Sequence, residues 1–125
     1  PTDYDLADFN NRLRCSIFEA YIGLVQGLKP FPSLINPHLS PQLPGLFTFM
    51  EIVANDFSNR SEDITLNILG LLGDVADAFP PQSIAPLLSS PWVSAIIRHG
   101  RSTTKGGSVR ETARWAREMI RRVTS

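Results

Sequence analysis

Apolar side chains recur every three or four residues along most of the chain, and proline clusters cut the recurrences into blocks. In residues 5–29, "DLADFNNRLRCSIFEAYIGLVQGLK", one helical row runs through Leu6, Phe9, Leu13, Ile17, Ala20, Leu24 and Leu28, and a second through Phe18, Ile22 and Val25. Two rows predict a long helix packed from two sides. Pro30, Pro32, Pro37 and Pro41 predict a loop next, because proline lacks the amide donor and disfavours helix at the residue before it. Leu43, Leu46, Phe47, Met50, Val53, Ala54 and Phe57 then mark a second helix over about 42–58, with Pro44 tolerable in its first turn.

Ser61 is placed to cap a third helix over about 62–79, which Pro80-Pro81 stops. The stretch "QSIAPLLSSPWVSAIIRHG" predicts a fourth over about 82–100, bent or split at Pro86 and Pro91 and ended by Gly100. After "RSTTKGG", Ser108 and Glu111 form an S-x-x-E capping box that opens a fifth over about 108–123. No segment alternates with period two, so the predicted class is all-α.

Start to start, the second and fourth helices lie about 40 residues apart and the third and fifth about 45, within the ~40–47 period of HEAT or armadillo arrays. The fifth helix carries "VRETARWA", the V-R-x-x-A pattern of second helices in HEAT repeats. The expected architecture is a right-handed α-solenoid of about two and a half HEAT repeats, built from antiparallel helix pairs. Opening on an unpaired long helix, residues 1–125 read as a piece of a larger superhelix.

Composition refines this picture at a few points. The 125 residues hold twelve basic and twelve acidic side chains, so no global field recruits nucleic acid or anionic lipid. Yet residues 1–80 carry ten acids and four bases, and residues 81–125 carry two acids and eight bases. The molecule is dipolar. Cys15 has no disulfide partner, and its neighbours Ile17, Phe18 and Ile22 predict a buried, reduced thiol in an intracellular compartment. No signal peptide is visible and no apolar run approaches the ~20 residues of a membrane span, so a soluble chain is expected.

Catalytic constellations are not visible. His38 and His99 lack ligand-spaced partners, so no metal or other cofactor is expected. "GLLGD" lacks the lysine and hydroxyl residue of a phosphate loop, and Cys15 has no base beside it. Asp74 and Asp77 share a helical face, as paired catalytic carboxylates do, but no substrate pocket is indicated nearby, and a binding surface fits them better than an enzyme site. "RSTTKGG" could attract phosphate, although a solvated loop is its simpler reading.

Polar stripes point to binding. Asp63, Asn67, Gly70, Asp74 and Asp77 repeat at three and four along the third helix, as do Arg12, Ser16, Glu19, Gly23 and Gln26 along the first. On second helices of a solenoid, such stripes would line the concave face. Interior glycines cost roughly 0.5–1 kcal/mol each relative to alanine, so Gly23, Gly27, Gly70 and Gly73 imply either close helix packing or a partner approaching the backbone. On the fifth helix Val109, Ala113, Ala116, Ile120 and Val123 form the buried stripe, leaving Trp115 about 100° away beside Glu111, Glu118 and Arg122. An indole among carboxylates suits an incoming cation, with roughly 0.5–2 kcal/mol of cation–π attraction. Covering the end of the core or stacking on Arg122 would also explain the indole, and the capping box would by itself explain Glu111.

"YDLADFNNRLRCSIFEAYIGLVQGLK", "LLGDVADAF" and the terminal "ARWAREM" resemble the C-terminal HEAT repeats of the importin-β (karyopherin-β) family of nuclear transport receptors, over nearly the whole chain. The resemblance implies a superhelix whose acidic inner face wraps the basic importin-β-binding helix of importin-α. It also implies passage through nuclear pores by contacts with Phe-Gly nucleoporins, cargo release on Ran-GTP, and residence in cytoplasm, nucleus and nuclear envelope, with no direct nucleic-acid or membrane partner. Trp115 matches the family's terminal tryptophan and Asp74 the aspartate of its "GD" step. Glu19, Asn67 and Asp77 join them on groove geometry, and Glu118 and Glu111 on their place beside the indole. The competing expectation is a structural C-terminal cap that touches no cargo.

Overall fold

A computed structural model of the chain describes residues 3–104 and 106–124. Seven α-helices occur among them: α1 (Asp3–Leu28), α2 (Pro32–Leu39), α3 (Leu43–Ala54), α4 (Glu62–Ala78), α5 (Pro81–Leu88), α6 (Pro91–Ser102) and α7 (Gly107–Thr124), with a 3-10 turn (Ser40–Gln42) joining α2 to α3. No strand occurs among the described residues, and no helix there is long and apolar enough to cross a membrane.

The helices form two layers. Long, uninterrupted α1, α4 and α7 lie side by side, with α4 packed extensively on both neighbours, while the short helices α2, α3, α5 and α6 build the other layer. One repeat is thus α2–α3–α4 and the next α5–α6–α7, preceded by the lone second helix α1: an α-solenoid of two and a half HEAT units. Side chains tie the layers. Phe18 of α1 meets Phe49 of α3 at 5.4 Å between ring centroids, and Phe47 of α3 meets Trp92 of α6 edge-on at 6.1 Å.

The central helix shows why the chain folds this way. Ser61 caps α4 by accepting a hydrogen bond from the Ile64 amide at 3.2 Å, and Glu62 and Asp63 face the positive end of its dipole. Behind the cap Ile64, Ile68, Leu69, Leu71, Leu72 and Val75 are fully buried. Each such side chain is worth about 1.5–3 kcal/mol, against about 0–1 for an exposed ion pair, so packing and not surface charge holds α4 between its neighbours.

Several sequence expectations change. Residues 32–39, expected as loop, are helical, because Pro32 opens α2 where its missing amide costs nothing and Pro37 removes only one donor from an eight-residue element. The predicted fourth helix does split at Pro91, into α5 ending at Leu88 and α6 starting at Pro91, but Pro86 stays inside α5 and α6 runs past Gly100 to Ser102. The second helix stops at Ala54, and Phe57 lies outside it, largely exposed beneath the Arg60 guanidinium at 5.3 Å. In α1 the row through Phe18, Ile22 and Val25 packs inward, whereas Leu6, Phe9, Leu13 and Leu24 are about half exposed, since nothing among the described residues lies over them. Cys15 is half-buried rather than enclosed.

The capping box does not form. α7 begins at Gly107, which puts Ser108 inside the helix; a β-carbon at Gly106 would come within 2.9 Å of Glu62 Oε1, so the chain enters α7 close against the start of α4. Of the "RSTTKGG" segment, Arg101 and Ser102 belong to α6 and Lys105 lies outside the described residues.

Candidate functional site

The polar stripes of α1 and α4 meet. Gln26 Nε2 donates to Asp74 Oδ2 at 3.1 Å, the Lys29 ammonium pairs with Asp77, and Gly70 faces Ile22, all three at a sequence separation of 48. A constant separation means that the two helices run parallel in register, which sets Glu19 opposite Asn67 as Gln26 is opposite Asp74.

Toward the helix N-termini the two stripes open into a groove of about 630 Å³. Asp8, Arg12, Ser16 and Glu19 form one wall, with Ser61, Asp63 and Asn67 on the other and Cys15 and Leu66 at the floor. Arg12 is spoken for by Asp8 at 3.2 Å. Glu19 and Asp63 have no ion-pair partner among the described residues, which leaves the groove negative. Asn11 adds a buried side-chain oxygen with no hydrogen-bond partner. The field registers on Cys15, whose thiol is pushed up by burial first and then by the carboxylates of Asp63 and Glu19, with a hydrogen bond to Asn67 opposing.

Farther along, Asp74 and Asp77 each meet a side chain of α1. Burial pushes Asp74 above its ordinary value, the Gln26 hydrogen bond opposes that, and the neighbouring charge of Asp77 adds to the rise. Asp77 is neutralised in place by Lys29.

Trp115 of α7 completes the line by lying across Gly73 of α4. A β-carbon there would stand 2.2 Å from indole Cζ3, so only glycine lets the ring sit on the α4 backbone. Of the glycines read as packing positions, Gly73 is the close one, Gly70 has ordinary contact, and Gly23 and Gly27 face open space. The indole stays 38% exposed, and no cation among the described residues stands over it. Arg122 instead pairs with Glu118 at 3.9 Å and reaches Met119 Sδ. Glu111, freed of the capping role, is exposed on the same helix.

The structure therefore brings Glu19 and Asn67 into one groove, whereas Asp74 and Asp77 lie beyond it where Gln26 and Lys29 bridge the two helices, with Trp115 resting on Gly73 of α4. Glu118 and Glu111 remain peripheral on α7. Asp8 and Asn11 were missed as groove residues. Both precede Arg12 and Cys15 by one helical turn, and extending the α1 stripe backward would have found Asp8. The arrangement offers carboxylates and an indole face, which suit cations, and among the described residues no cluster of three or more metal-ligand side chains.

Comparison with known proteins agrees in one direction. Residues 1–101 match a family model described as importin subunit beta-1-like, TPR repeats. Importin subunit beta-1 of Schizosaccharomyces pombe is 30% identical over 96% of the chain, and that of Saccharomyces cerevisiae 34% identical over 94%. The chain spans 14% of the length of each. A crystal structure of importin beta in an ammonium sulfate condition superposes with a TM-score of 0.90 and 34% identity over the whole chain, covering 14% of that molecule, and yeast importin-beta with 0.79 and 31% over 98% of it. Although the family model names TPR repeats, the in-register separation of 48 departs from the ~34 residues of a TPR and sits next to the HEAT range.

Proposed function

The chain belongs to the importin subunit beta-1 family, and on that premise we propose that its long-helix layer grips a basic helix of the kind importin-α presents, as part of a receptor that carries cargo between cytoplasm and nucleus. Such a segment binds and carries and does not catalyse. In the whole receptor, Ran-GTP and Phe-Gly nucleoporins would be engaged as well, with nuclear pores as the route.

The observation that carries this reading is the groove between α1 and α4, whose Glu19 and Asp63 carboxylates lack cationic partners among the described residues. A lysine or arginine from a docked helix would pair there, with a further cation reaching Asp74 and the open indole face of Trp115. Asp77 contributes less, because Lys29 already holds it.

A second reading has its own support: Gln26–Asp74, Lys29–Asp77 and the indole over Gly73 each fasten one long helix to the next, as a cap without cargo would require. Asp74→Asn separates the two, since an amide oxygen still accepts from Gln26 while the charge is gone. Titrating the basic importin-α segment into the chain and following backbone amide shifts, we expect saturable shifts at Glu19, Asp63, Asp74 and Trp115 that weaken with salt. Affinity should fall about three- to tenfold for Asp74→Asn, with melting temperature unchanged. Unchanged affinity for Asp74→Asn and for Trp115→Ala would sink the cargo grip and leave the cap.

A further inference from the structure

The acid-poor end of the chain has a groove of its own. α6 and α7 diverge over a cavity of about 370 Å³, with Arg98 and Arg101 on one wall and Arg117 and Arg121 on the other. Val93, Ile97 and Ile120 lie between the walls, all buried beneath the rim. The arginines stand at i, i+3 on α6 and i, i+4 on α7, so both helices present one face to the same cleft.

None of these four guanidinium groups has an ion-pair or hydrogen-bond partner among the described residues. Of the other arginines, Arg14 pairs with Asp56 at 2.9 Å, Arg60 donates to the Ala54 carbonyl and Arg110 to that of Thr103, while Arg114 shares the lack of a partner but does not line the groove. Helix dipoles account for Arg101 and Arg121, each in the last turn of its helix. They do not account for Arg98 or Arg117. Like charges at i, i+4 weaken a helix slightly, so Arg117 stands beside Arg121 at a small cost, with no dipole gain of its own.

We propose that the α6–α7 groove docks an acidic peptide segment that inserts a large apolar side chain between its arginine walls. The carboxylates would take bidentate hydrogen bonds from the guanidinium forks, and the apolar residue would cover Ile97 and Ile120. Nucleic acid suits the groove less well, because no aromatic side chain lines it to stack a base. The site is separate from the acidic groove and opposite in sign. This proposal rests on Arg98, Arg101, Arg117 and Arg121 and stands whether or not the basic-helix reading does.

The test is fluorescence anisotropy with a short labelled peptide of Asp and Glu around one Phe and one Leu. Its controls are the same peptide with Ser in place of Phe and Leu, and a single-stranded RNA of matched charge. The whole 125-residue chain is used. We expect saturable binding of the first peptide, weakened about tenfold by combined Arg98→Glu and Arg117→Glu, and weakened similarly by removal of the apolar pair. Both arginines are exposed, and circular dichroism should show the variant folded. Arg98→Gln with Arg117→Gln repeats the comparison without charge reversal. Equal binding by the serine peptide, tighter binding of the RNA, or unchanged affinity in both variants would overturn the proposal.

Discussion

Asp74 shows how a half-buried carboxylate can hold its charge at little structural gain. Its folded value lies above the ordinary carboxylate value because burial penalises the anion. The stability it contributes is therefore present at low pH, below the unfolded value, and is lost as pH rises through the folded one. At neutral pH the ionised group slightly opposes the fold, which is why Asp74→Asn should not lower the melting temperature. Asp56 behaves oppositely: the hydrogen bond from Arg14 holds its carboxyl low, so its contribution is present at neutral pH and is lost as pH falls through that lowered value. Cys15 reports the groove's field directly. Since burial and then Asp63 and Glu19 raise its thiol, thiolate forms at higher pH than in a solvated cysteine, and alkylation at neutral pH should be slow. We expect Asp63→Asn to shift the pH–rate profile of iodoacetamide labelling downward; an unmoved profile would mean that the Asp63 charge does not reach the thiol.

At the scale of elements, the two repeats share a pattern. α2 reads "PSLINPHL" and α5 reads "PQSIAPLL", each with proline first and sixth, a buried isoleucine fourth and leucine last. The short-helix layer thus starts each repeat with the same proline-limited piece. Eight residues with two prolines leave few internal amide bonds, whereas α4 is capped, long and enclosed. Amide hydrogen exchange should therefore be faster in α2 and α5 than in α4 by orders of magnitude, and comparable protection would contradict the layer description. The long helices and the Ser61 cap were legible in the sequence because periodicity and capping are local. α2 was not, since its prolines read as breakers until their positions within a short helix are known. The α1 and α4 stripes were legible too, but their partners were not. Helical spacing says which residues share a face, yet not that Gln26 meets Asp74 or that Trp115 lies on Gly73, because the register between helices is set by packing. The same gap explains α1, where the sequence shows two apolar rows without saying which one the following repeat covers.

For the whole molecule, that uncovered row is the largest consequence. Leu6, Phe9, Leu13 and Leu24 leave an apolar strip along the outer side of α1, where a further repeat of the same layer would pack in a longer array. Replacing Leu6, Phe9 and Leu13 by serine should abolish binding of the dye ANS while leaving the melting temperature within a few degrees, because these side chains bury little within the chain. A large fall in melting temperature would show that the strip is held inward in solution. Charge divides the molecule along the same axis, acidic around α1 and α4 and basic around α6 and α7, so the two proposed grooves are opposite in sign. The two tryptophans, finally, divide the molecule's light. Trp92 is sealed against Phe47 at 8% exposure, whereas Trp115 lies open on its glycine seat. Emission from the chain should thus sum a blue, quencher-resistant component and a red, acrylamide-accessible one, and the red one would be an intrinsic gauge of whether anything has settled over α4.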